Sequence, residues 1–228
     1  MRDVLFAFCA LILSTAACAT GLADISNRDA AAGLKEALVK GSQTAVARLG
    51  VENGFFGDER LRIPMPESLK RTEKMARRLG MGKQADELVL RMNRAAEAAV
   101  PEAKALLVDA VKQMSVQDAK GILAGGDDAA TQYFRRTTSE PLTQRFAPIV
   151  KQAMEKVSVA ETYDRFASRG ARLGLVKQED ANLEDYITRK ALDGLFLAIA
   201  EEERKIREDP AAAASSLLRK VFGALTQR

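Results

Sequence analysis

The 228-residue chain contains no histidine, no tryptophan and only two cysteines. Without imidazole there is no Ser-His-Asp or Cys-His nucleophile pair and no zinc site with histidine ligands. The general acid or base that normally titrates near neutrality is missing as well. Both cysteines, Cys9 and Cys18, lie close to the N-terminus, so the rest of the chain has neither a disulfide framework nor a cysteine metal site. No metal and no cofactor is expected. Aromatic residues make up 5% of the chain, which leaves little for base stacking, and nucleic acid is not an expected partner. Any enzyme chemistry left to this chain rests on carboxylates, Ser-Lys pairs or tyrosine.

What the N-terminus does contain reads as an export signal. MRDVLFAFCALILSTAACAT places an apolar run, Val4 to Leu13, after Arg2 and before a string of small residues. The run is too short to span a bilayer, and its position is that of a secretory leader. Residues 1–19 read as a signal peptide, with Ala17-Cys18-Ala19 as the small-residue cleavage pattern. Thr15-Ala16-Ala17-Cys18 supports a second reading, cleavage before Cys18 and attachment of a lipid to it, although Thr15 stands where such signals carry a larger aliphatic residue. Both readings place the protein in the periplasm or, through a lipid on Cys18, at the outer membrane. Beyond the leader no apolar run reaches membrane-spanning length.

The remainder, residues 23–228, reads as a single all-α domain, a multi-helix bundle of about nine or ten helices joined by short turns. Ser26 with Asp29 resembles a capped start for a helix burying Leu34, Leu38, Ala45 and Leu49. VENGFFGDERLRIPMP follows as a loop with a tight turn at Asn53-Gly54, Phe55 and Phe56 as anchors, and Leu61, Ile63 and Met65 alternating. Pro66 opens the next helix, which stops at Gly80. A helix over 83–100 buries Leu88, Met92, Ala95, Ala96 and Ala99, and Pro101 kinks it or begins the next. Ser115 with Asp118 forms a capping pair. Ser139 looks like another start, with a bend at Pro148, and Ser158 with Glu161 another capping box before Val159, Tyr163 and Phe166. Gly170 to Gly174 makes a break. Asn182 begins a long helix ending before Pro210, and AAAASSLLRKVFGAL forms the last.

GGDDAATQYFRRTTSE concentrates glycines, carboxylates, a tyrosine and two arginines. Adjacent carboxylates on a helix point about 100° apart, so Asp127 and Asp128 are no preformed acid/base pair. The stretch matches neither a calcium loop nor a phosphate-cradling glycine motif. Asp127 is placed to cap a helix carrying Ala130, Phe134 and Thr137 on one face, with Arg135 and Arg136 near its other end. Tyr133, Arg135 and Arg136 remain as candidates for receiving an anionic group.

Three blocks, MNRAAEAAVPEAK, GGDDAATQYFRRTT and KALDGLFLAIAEEE, resemble hallmark segments of the exported bacterial family called domain of unknown function 4197. The resemblance spans about Leu22 to Phe222. It implies an exported, helical envelope protein and supplies no activity and no catalytic or binding residue.

Two further constellations carry chemistry. In the long helix, Leu192, Leu195, Ile199 and Ile206 form an apolar stripe straddled by Glu202 and Glu203, candidate buried carboxylates that pair with arginine or, unpaired, have catalytic potential. In ESLKRTEKMARRLG, Leu69, Met75, Ala76 and Leu79 gather on one side and Lys70, Arg71, Lys74, Arg77 and Arg78 on the other. Lys70, Lys74, Arg77 and Arg78 are candidates for docking anionic lipid headgroups, lipopolysaccharide phosphates or an acidic envelope protein. The favoured function is a non-enzymatic binding or scaffolding module for an apolar or anionic ligand or a protein partner. The alternative is a carboxylate-dependent hydrolase or lyase acting on the cell wall, for which Glu67-Ser68 superficially matches a catalytic dipeptide.

Overall fold

The computed structural model of the protein describes residues 27–163 and 183–209. These contain seven α-helices and no strand. They are α1 (Asn27–Leu49), α2 (Glu67–Arg78), α3 (Gly82–Ala99), α4 (Ala103–Gln113), α5 (Val116–Ala124), α6 (Ala129–Lys156) and α7 (Leu183–Glu208). The leader 1–19 with Cys18, Ser26, Phe166, the Gly170 to Gly174 break, Asn182 and the final helix AAAASSLLRKVFGAL lie outside the described residues.

The apolar spacing translates directly into packing. Leu34, Leu38, Ala45 and Leu49 of α1 are buried, as are Leu88, Met92, Ala95, Ala96 and Ala99 of α3. α7 is the axis of the bundle and packs on α6, α1 and α3. Ile187, Ala191, Leu195, Ala198 and Ile199 bury its inner faces. Gly194 admits a close neighbour there, because a Cβ in its place would sit 2.6 Å from Cε1 of Phe55. α1 also packs against α4 and α5, and α3 against α6. α2 lies at the periphery and packs chiefly on α3.

Local signals set several boundaries. Pro66 occupies the N-cap position of α2, and Gly80, at φ 80°, takes the left-handed conformation that stops it. Ser115 and Asp118 form a complete capping box on α5, each side chain accepting from the other's backbone N–H. Pro101 sits in a single 3₁₀ turn, Val100–Glu102, between α3 and α4.

One boundary expected at Ser139 does not exist. α6 runs unbroken through Pro141 and Pro148, which merges two expected helices into one of 28 residues. Each proline costs the ladder one amide. Burial of Phe134, Leu142, Phe146 and Val150 along a single face holds the helix together across both. Thr138, rather than Thr137, joins Phe134 on the buried face. Arg135 and Arg136 consequently stand in the second turn of this helix and not near its end. The start is also one residue later than expected. Asp128 holds the N-cap position and makes no capping bond there.

Candidate functional site

The connection between α1 and α2, residues 50–66, is densely hydrogen-bonded to the helices around it. Phe55 is completely buried, which drags backbone polar groups away from water and obliges the fold to supply partners. Glu97 of α3 supplies two of them, its Oε1 accepting the N–H groups of Phe55 and Phe56 at 3.1 and 3.0 Å. Arg94 balances this buried carboxylate and reaches onward to Glu52 and Asn53 at 3.0 Å each. Asn53 itself turns the chain at φ 67°.

Further along, Asn93 imitates a neighbouring strand. Its Oδ1 accepts the Ile63 N–H at 2.8 Å and its Nδ2 donates to the Ile63 carbonyl at 2.9 Å. Leu61, Ile63 and Met65 are all buried while Arg62 and Pro64 between them are exposed, so the alternation legible in the sequence is realised. Glu201 of α7 accepts from both Arg48 and Arg60 at 2.6 Å, and the Tyr186 hydroxyl donates to the Pro64 carbonyl at 3.0 Å. Asp58 is held below its ordinary carboxylate range by the hydrogen bond from Arg60.

Two clefts open on either side of this connection. The larger, about 590 Å³, lies between Val51, Glu52, Leu90, Arg91, Arg94 and Val157. Its charges are internally matched: Arg94 as above, and Arg91 with Glu87 at 3.5 Å and the Val157 carbonyl at 3.2 Å. The smaller, about 280 Å³, has Phe56, Pro64, Met65 and Val89 as apolar walls and is lined as well by Arg62, Lys70 and the Glu73–Arg77–Asp86 ion-pair cluster. The Arg62 guanidinium stacks on the Phe56 ring, 4.7 Å from its centre, and its Nε donates to the Phe56 carbonyl at 2.7 Å. Its two terminal nitrogens have no hydrogen-bond or carboxylate partner among the described residues. Nothing in the sequence marked Arg62. Its place between the alternating buried residues Leu61 and Ile63, which turns it outward, was the available signal.

The basic face of α2 divides in two. Lys70 pairs with Glu67 at 2.5 Å, and Arg77 is clamped between Glu73 and Asp86 at 2.7 and 2.6 Å, which keeps its guanidinium charged. Arg71, Lys74 and Arg78 face away from α3 and make no ion pair among the described residues. The apolar side is narrower than its spacing implied. Leu69 and Ala76 are buried, but Met75 and Leu79 remain 40% and 54% exposed. Packing chiefly on α3, the helix buries Leu69 and Ala76 and leaves Met75 and Leu79 outside the contact.

The three candidates around Tyr133 divide between two sets of neighbours. Tyr133 donates from its hydroxyl to Asp118 at 3.4 Å, and burial pushes that phenol above its ordinary value. Arg136 lies 5.8 Å over the Tyr133 ring. Arg135 turns to the other side, over the Phe196 ring at 4.9 Å and toward Asp193 at 3.3 Å.

Glu202 and Glu203 separate just as sharply. Glu202 pairs with Lys205 at 2.7 Å. Glu203 is buried and reaches the first turn of α6, where Oε1 accepts the Ala130 N–H at 3.0 Å and Oε2 accepts the Thr131 N–H and hydroxyl at 2.9 and 2.8 Å. Arg207 donates to it from one turn on, at 2.8 Å. The arginine pairing expected from the sequence is therefore present, and the carboxylate also caps a helix, where negative charge is favoured. Glu67 stands on the outer first turn of α2 with its side chain 85% exposed. No cluster of acidic side chains that would hold a metal ion, and no helix long and apolar enough to cross a membrane, occurs among the described residues.

The model of a protein family described as a protein of unknown function, DUF4197, matches residues 24–223. No curated protein and no solved structure matches the chain.

Proposed function

We propose, on the premise that the chain belongs to the DUF4197 family of proteins of unknown function, that it is a non-enzymatic binding module of the bacterial envelope whose α2 face docks on an anionic lipid surface. The observation that carries this reading is the row Arg71, Lys74 and Arg78, three cations with no ion-pair partner among the described residues, on the outward face of a peripheral helix. Met75 and Leu79 border that row and are exposed enough to enter the headgroup region alongside it. Residues 1–19 supply the export that brings the protein to the periplasm, or to the outer membrane through a lipid on Cys18. The carboxylates favour binding over hydrolysis, since the buried one, Glu203, is committed to Arg207 and to the first turn of α6.

A Lys or Arg close to an anionic bilayer contributes about 1 kcal/mol, so three contribute about 3 kcal/mol, or about 150-fold in affinity. The protein should sediment with vesicles of phosphatidylcholine and phosphatidylglycerol and not with phosphatidylcholine alone. Joint replacement Arg71→Gln, Lys74→Gln, Arg78→Gln should abolish that binding at physiological salt. Absence of wild-type binding, or full binding by the triple variant, overturns the reading.

A further inference from the structure

A guanidinium usually loses its anion-binding capacity to a neighbouring carboxylate. Arg60, Arg77, Arg94 and Arg207 are all consumed in this way. Arg62 is held differently. Its Cζ lies 4.7 Å over the Phe56 ring and its Nε donates to the Phe56 carbonyl, so two contacts hold the guanidinium in place. Neither contact neutralises the charge or uses the two terminal nitrogens. The base of this support is rigid as well, because Phe56 is tethered through its own N–H to buried Glu97 and Ile63 is tethered to Asn93. A planar fork with both prongs unoccupied, whose ordering has already been accomplished in the unliganded fold, is the arrangement that receives a carboxylate or phosphate in bidentate fashion.

The surroundings narrow the ligand further. Pro64, Met65 and Val89 give the cleft beside Arg62 an apolar wall, Lys70 adds a second cation, and the two carboxylates that also line it, Glu73 and Asp86, are both held by Arg77. Lys70 is tied only to Glu67, an exposed pair that contributes little and exchanges readily. The volume, about 280 Å³, is near the lower end of ligand sites, which begin at about 300 Å³. It has room for an oxyanion head and the first few carbons attached to it, not for a whole lipid.

We infer that the cleft between the α1–α2 connection, α2 and α3 is a binding site for a small amphiphilic anion, with its oxyanion on Arg62 and Lys70 and its apolar portion against Met65, Pro64 and Val89. This site is separate from the outward face of α2 and does not depend on membrane docking. Phosphate and carboxylate heads share the recognition chemistry, and the choice between them is read by comparing octyl phosphate with octanoate.

The test is titration calorimetry of the full chain with octyl phosphate, octanoate, octyl glucoside and inorganic phosphate, all below micellar concentrations. Binding of at least one octyl anion is expected, with octyl glucoside and inorganic phosphate weaker by about tenfold or more, because each lacks one half of the match. Arg62→Gln should weaken the anion about tenfold, and Arg62→Lys should weaken it too, since the charge stays but the fork is lost. Val89→Trp should close the cleft. The triple variant of Arg71, Lys74 and Arg78 should bind the anion as the wild type does, whatever it does on vesicles. The inference is overturned if neither anion binds, if octyl glucoside binds equally, or if Arg62→Gln leaves the affinity unchanged in a variant whose melting temperature matches the wild type.

Discussion

Replacing Glu203 by glutamine changes neither volume nor shape, yet it should be among the most damaging single-atom substitutions available in this protein. Oε1 accepts from the Ala130 N–H and from Arg207, and Oε2 from the Thr131 N–H and hydroxyl. Whichever way the new amide turns, its NH₂ group faces donors. The Thr131 hydroxyl can rotate to accept, but a backbone N–H cannot, so at least one buried amide is stranded at about 1–3 kcal/mol. Arg207, whose side chain is 12% exposed, loses the Glu203 charge at the same time, and breaking a buried pair from one side costs about 3–5 kcal/mol. The two costs share the same atoms and do not simply add. A loss of about 3–5 kcal/mol is expected, a large part of the 5–15 kcal/mol that holds a typical domain together, and it corresponds to a melting temperature lower by about 10 °C.

Glu202→Gln is the internal control. It removes one neighbouring carboxylate whose partner, Lys205, is 63% exposed, and should cost at most about 1 kcal/mol. Urea and thermal melts followed by far-UV circular dichroism on both variants give the comparison. Because Thr131 is one of the bonded partners, Thr131→Val should also cost less in the Glu203→Gln background than in the wild type. Equal shifts for Glu202→Gln and Glu203→Gln, or a Glu203→Gln loss below about 1 kcal/mol, would refute the assignment of Glu203 as the cap of α6.

Two more outcomes follow from the geometry. Gly194→Ala would drive a methyl to within 2.6 Å of the Phe55 ring and should cost about 1–3 kcal/mol in a thermal melt, less when Phe55→Leu is present to make room; an unchanged melt would show that α7 and the connection are not in tight register. The Asp118 carboxyl is held below its ordinary value of 3.8 by the Ser115 hydroxyl first, then by the Ser115 amide and the Tyr133 phenol. A depressed carboxyl pKa contributes stability that is complete above the unfolded value and disappears as pH falls through the folded one. The stability difference between wild type and Asp118→Asn in urea should therefore be constant from neutral pH down to about 4 and narrow below that; a difference that persists unchanged at low pH would contradict the bond.

How much of this was legible in the sequence depended on whether a signal was local. The Ser115–Asp118 box, the stop at Gly80 and the buried stripes of α1 and α3 are all decided within a few residues, and each is where the sequence puts it. Phe55 between its glycines was readable as an anchor for the same reason. The start of α6 was misplaced because its cap is not a neighbour but Glu203, more than seventy residues away. Ser139 looked like a boundary because proline weighs against helix interiors, and the burial of Phe134, Leu142 and Phe146 that overrides it is a tertiary fact. Asn93 and Glu97 went unnoticed although they stand one turn apart beside the stripe of α3. Polar residues next to an apolar face usually look outward, and these two instead serve a loop that approaches from the other side.

The two prolines of α6 have a consequence beyond the missing boundary. Without an N–H at Pro141 and Pro148, the carbonyls of Thr137 and Gln144 lose their ladder donors. The helix is thus three hydrogen-bonded blocks in series, joined at two steps where opening disrupts fewer bonds. Its first block is fixed by Glu203, and just past its last turn the Val157 carbonyl is fixed by Arg91. Amide hydrogen exchange should accordingly be uneven along one unbroken helix, fastest beside the prolines and slowest in the first turn.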